Sequence, residues 1–164
     1  TVPYIFSDWR RVLLLVTLFT LGHTISLLLA VYGVVKVDRG FIEFLIPVTI
    51  FITALYNVFT AGKGAKKDKL GVLLITALFF GLIHGLGFSS FFKSLTAHLS
   101  SRLLPLAEFA LGIECAQIII VLIVLIIGFI CQTIFRFSRR DWMMFISAVV
   151  IGMVIPMLIA NYPW

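Results

Sequence analysis

The sequence predicts an all-α protein: a polytopic transmembrane helix bundle of about five membrane spans, with a possible partial helix at the N-terminus, forming a single domain over residues 1–164. Three observations predict it. Hydrophobic residues make up 62% of the chain and charged residues 12%, against ~45–50% and ~25% in soluble domains. Mean hydropathy is +1.17. Apolar runs of roughly 20 residues, the length that crosses ~30 Å of hydrocarbon, recur between short charged segments. In that setting the net charge of +6 belongs to loops beside anionic headgroups, and no nucleic-acid partner is expected. Cys115 and Cys131 lie in one apolar run, about 24 Å apart at ~1.5 Å per residue, and cannot pair.

Taken in order, Asp8, Trp9, Arg10 and Arg11 form a charged and aromatic interfacial segment unlike a cleavable signal peptide. Thr1–Phe6 ahead of it could be the end of an earlier helix. The first span runs over Val12–Val35 and is bounded by Lys36, Asp38 and Arg39. The second, Phe41–Ala61, carries Glu43, Pro47 and Asn57 and ends in a lysine-rich loop. The third is Leu70–Phe92. Lys93–Pro105, with His98 and Arg102, is the one long connection. The fourth span, Leu106–Phe135, is long enough to tilt or to extend beyond the membrane. Arg136–Asp141 turns the chain into the fifth, Trp142–Ala160, which contains Gly152 and Pro156 and closes on Tyr162 and Trp164.

Basic residues sort unevenly between alternate loops. Arg10, Arg11, Lys63, Lys66, Lys67, Lys69, Arg136, Arg139 and Arg140 share one side, and Lys36, Arg39, Lys93 and Arg102 the other. The positive-inside rule places the first side in the cytoplasm of a bacterial inner membrane and the C-terminus outside.

Polar groups inside the spans point to function. His84 stands between Gly81 and Gly85, and small residues four apart let a neighbouring helix pack closely, so His84 should face protein. Counted down from the outer ends of their runs, His84 and Glu114 both lie about 12 Å deep and His23 about 18 Å, close enough for one tilted bundle to bring the three together. Glu43 and Glu108 lie within a turn of the outer boundary and suit an acidic mouth. A buried carboxylate costs at least ~2.5–3.5 kcal/mol, so Glu114 needs a partner, a proton, water or a cation.

Imidazole and carboxylate together suit nickel, cobalt or zinc, which makes His23, His84 and Glu114 candidate metal ligands, with Thr20, Asn57 and Gln117 supporting them. A proton relay is the alternative, since His and Glu both titrate when burial and neighbours shift them. Each residue also has a plain packing interpretation, as polar side chains bond helices together in membranes. Thr17, Thr20 and Thr24 fit that interpretation well, and His98 sits in a polar loop. The sequence lacks the usual zinc-protease, serine-nucleophile and phosphate-loop motifs.

These residues resemble the HupE/UreJ family of bacterial membrane proteins. Phe19–Leu27 is similar to that family's Phe-Thr-x-x-His-Ser-x-Thr-Leu segment, Phe80–Phe88 to Phe-Gly-x-x-His-Gly-x-Gly-Phe, and Phe109–Gln117 to Phe-Asn-x-Gly-x-Glu-x-Gly-Gln. Ala110 replaces the usual Asn, and Cys115 and Ala116 replace an apolar residue and Gly. The family's earlier Asp-His pair has no counterpart in this sequence. The resemblance implies a helical membrane protein linked to nickel or cobalt uptake, with His23, His84, Glu114 and Gln117 at the family's polar positions.

The resulting expectation is a nickel or cobalt permease or uptake accessory protein. Its partners are the lipid bilayer and a divalent metal ion, with no firm resident cofactor and no preferred oligomeric state. An intramembrane metal-dependent hydrolase and a purely structural membrane protein are the rival interpretations; a transporter is favoured over an enzyme.

Overall fold

The computed structural model describes residues 9–61, 70–98 and 101–162. Thr1–Phe6, the lysine-rich loop 63–69 and Trp164, all used in the sequence expectations, lie outside the described residues. These form five helices and no strands: α1 Trp9–Val31, α2 Arg39–Thr60, α3 Leu70–Leu95, α4 Leu103–Thr133 and α5 Arg139–Ala160. Each is long and apolar enough to cross a membrane, and the chain is a multi-pass membrane protein.

The helix ends follow local chemistry. α1 stops at Val31, four residues short of the expected boundary, because Gly33 takes a φ of 77° and the Val34 amide folds back onto the Leu29 carbonyl at 2.9 Å. A glycine in the left-handed region is a common way to end a helix. α2 starts where the Asp38 carboxylate accepts the Phe41 amide at 2.9 Å, and α5 starts in a capping box between Ser138 and Asp141. Such caps satisfy amides that the first turn leaves without partners. Pro47 and Pro156 lie inside α2 and α5, as spans allow when neighbouring groups take up the freed carbonyl. α4, at 31 residues, is about 46 Å long and exceeds the hydrocarbon thickness.

Helix neighbours close a ring in the order α1, α3, α2, α5, α4 and back to α1. The most extensive contact is between α1 and α3, which run parallel, and α2 with α5 comes next. Glycines make the α1–α3 seam. A Cβ on Gly22 would strike the Leu78 carbonyl oxygen, one on Gly81 the Phe19 carbonyl oxygen, and one on Gly85 the His23 carbonyl oxygen. No apolar solvent difference drives association in lipid, so close backbone approach and dispersion hold the pair. α4 is held less extensively, by α1 along one side and by α5 where Gly128 admits the Trp142 indole. Its remaining surface exposes mostly Leu, Ile and Phe.

Candidate metal site

The glycine seam fixes the level of both histidines. His23 is 3% exposed, and its carbonyl lies against Gly85, the residue after His84. The Phe19 ring touches both imidazoles, at 5.1 Å from His84 and 6.4 Å from His23 between ring centroids. The Nε2 atoms of His23 and His84 are both buried and have no hydrogen-bond partner. A buried nitrogen left unpaired costs about 1–3 kcal/mol. Both such atoms belong to imidazoles that flank the Phe19 ring.

Aromatic rings surround the pair. Phe88 lies 5.5 Å and Phe109 6.3 Å from the His23 ring. Beyond them, toward the C-terminal end of α1, Leu27, Val31, Phe92 and Leu106 form a buried apolar cluster packed by Leu28 and Phe109. That end of the α1–α3–α4 wedge is closed by hydrocarbon.

The opposite direction is polar. Thr17 donates its hydroxyl to Glu114 Oε1 at 3.0 Å, and Thr20 donates to Gln117 Oε1 at 3.2 Å. α4 runs antiparallel to α1, since Thr17 meets Glu114, His23 meets Phe109, and Val31 meets Leu106. Glu114 therefore stands level with Thr17, six residues from His23, or about 9 Å along the axis. Counted from the true helix ends, His84 and Glu114 are still eleven residues in alike, so their difference in level comes from how α4 is registered against α1. His23 is eight residues from the true end of α1, while Glu114 is eleven from the true start of α4. The two histidines share a level and the carboxylate lies deeper.

Among the described residues, no three His, Cys, Asp or Glu side chains are grouped to hold a metal. The structure brings His23 together with His84, and Glu114 and Gln117 together with Thr17 and Thr20. Asn57, half-buried on α2, makes no hydrogen bond to any of them. Glu43 is paired with Arg39 at 2.6 Å, Glu108 is exposed on α4, and no extensive packing joins their helices. His98 is exposed in the turn after α3.

Sequence reasoning assigned Thr17 to packing and overlooked the aromatic shell of Phe19, Phe88 and Phe109. A signal for Thr17 existed. Thr17 and Thr20 are three apart, and so are Glu114 and Gln117, a spacing that puts each pair on one helix face.

The family model described as HupE / UreJ protein matches residues 2–161. No curated protein and no solved structure matches the chain.

Proposed function

We propose that this chain, which belongs to the HupE/UreJ family, is a permease or uptake accessory protein that carries nickel or cobalt across the bacterial cytoplasmic membrane, with His23 and His84 as its ligands. The observation that carries this reading is the pair of buried, unpartnered Nε2 atoms. Neutral imidazole is a good donor to nickel, cobalt and zinc, and two of them leave coordination positions open for water or for a ligand exchanged during passage. A cargo ion bound at either imidazole would satisfy its orphaned nitrogen.

Membership of the family supports a role in nickel or cobalt uptake in general. The arrangement around the histidines supports a path. Leu27, Val31, Phe92 and Leu106 close the end taken as extracellular, while Thr17, Thr20, Glu114 and Gln117 line the seam toward the other end. Glu114 supplies negative charge along that seam. The exposed Glu108 attracts cations to the outer face, whereas Glu43 is largely neutralised by Arg39. The membrane potential, worth ~2.3 kcal/mol per charge per 100 mV, is sufficient to draw a divalent ion inward.

Radiolabelled nickel uptake into proteoliposomes tests the reading. Uptake by the native protein and its loss in His84→Ala are expected. Equal uptake by His84→Ala and native protein would overturn the histidine pair as the site.

A further inference from the structure

The donors on α1, α3 and α4 sort by chemistry into two levels. Nitrogen donors, His23 and His84, occupy one. Oxygen donors occupy the other: the Thr17 and Thr20 hydroxyls, the Glu114 carboxylate and the Gln117 amide oxygen, joined across the α1–α4 seam by contacts of 3.0 and 3.2 Å. We infer that these four side chains form a separate binding site for a hard monovalent cation of the sodium class, distinct from the imidazole pair.

Ligand type is the first reason. Hard cations take carboxylate, carbonyl and hydroxyl oxygens, whereas imidazole selects transition metals. The two contacts across the seam are made by oxygens alone. Spacing is the second. Residues three apart on a helix have Cβ atoms about 5–6 Å from each other, so two threonines facing a Glu and a Gln at the same spacing set four oxygen-bearing side chains along one stretch of the α1–α4 seam, Thr20 buried within it and Thr17 exposed at its edge. Each hydroxyl can turn its proton to the carbonyl four residues back, as Thr24 does to Thr20 at 2.8 Å, which frees a lone pair for an ion.

Charge is the third reason. Glu114 is the one acidic residue in the middle of a described span, and α4 has no Lys or Arg between Arg102 and Arg136. A single carboxylate in hydrocarbon is costly without a counter-ion. One monovalent cation balances it, and a divalent ion would leave excess charge.

The position suggests a use, and this step rests on the transport reading above. α4 is the helix least tied to the ring, and an ion bridging Glu114 and Gln117 to α1 would draw it against α1. Phe109 on the same helix lies against His23, so sodium occupancy and the shape of the histidine pocket become linked. Such coupling is reciprocal: whatever sodium does to metal affinity, the metal does to sodium affinity.

Thermal unfolding of the full chain in detergent, with sodium chloride exchanged for choline chloride at constant ionic strength, tests the site. Sodium should raise the unfolding midpoint with saturation, as any ligand of the folded state does. Glu114→Gln should abolish the rise. Thr17→Val should shift half-saturation about tenfold higher in sodium, the effect of losing one polar contact, and Thr17→Ser should stay close to native. His84→Ala should keep the sodium response, which separates this site from the nickel site. No sodium response in the native protein overturns the proposal, as does an undiminished response in Glu114→Gln or in Thr17→Val. A sodium response without nickel binding leaves the oxygen site standing and removes the nickel reading.

Discussion

A Cβ built on Gly85 would collide with the carbonyl oxygen of His23, so the residue beside one histidine exists to let the other histidine's backbone approach. The α1–α3 register, and with it the common level of the two imidazoles, depends on that contact. The atom struck is backbone, which cannot swing aside as a flexible side chain can.

Gly85→Ala should therefore destabilise the protein by about 1–3 kcal/mol, the usual cost of overpacking a close interface. Gly152→Ala, where nothing lies within 4 Å of the added carbon, should be within ~0.5 kcal/mol of native. Chemical unfolding of both variants in detergent checks the difference. Similar stabilities would mean the α1–α3 seam can open without penalty.

Metal binding should disappear in His84→Ala and persist in His98→Ala, whose side chain is exposed in a turn. It should also weaken in acid. Imidazole binds metal only when neutral, so protons compete with the ion and binding falls as the pH is lowered. Calorimetric titration with nickel at several pH values measures both effects. Affinity that stays unchanged however far the pH is lowered while the protein remains folded would exclude neutral imidazoles as the ligands.

The Thr20 and Gln117 side chains should be energetically coupled. In a double-mutant cycle with Thr20→Val and Gln117→Leu, an interaction energy near ~0.6 kcal/mol is expected, the average for polar pairs between membrane helices. Additive effects of the two substitutions would show that the 3.2 Å contact contributes nothing to holding α4.

A cysteine introduced in loop 63–69 should be protected from a membrane-impermeant reagent in intact cells, and one introduced near Lys36 should react. This follows from nine basic residues on one side against four on the other and the positive-inside rule. Reaction of the first and not the second would invert the topology.

How much of this was legible in the chain varies by residue. The five spans were, because a bilayer demands about 20 apolar residues in a row and hydropathy is a local property. The identities of His23, His84, Glu114 and Gln117 as the unusual polar groups were also legible, since an ionisable or amide side chain stands out in such a run. Gly81 and Gly85 pointed to a close helix contact on the His84 face, and α1 supplies it.

What only the tertiary structure decided was which of those groups meet. Counting from expected boundaries set His84 beside Glu114, yet α4 packs on α1 with Glu114 against Thr17, while His84 lies level with His23 on the α1–α3 seam. Thr17 acquired a partner only once α4 lay antiparallel on α1. Spans are determined by residues adjacent in sequence interacting with lipid. Levels and partners are determined by contacts between residues far apart in the chain, such as Gly85 with His23 and Thr17 with Glu114, and no local pattern encodes which helix will lie against which.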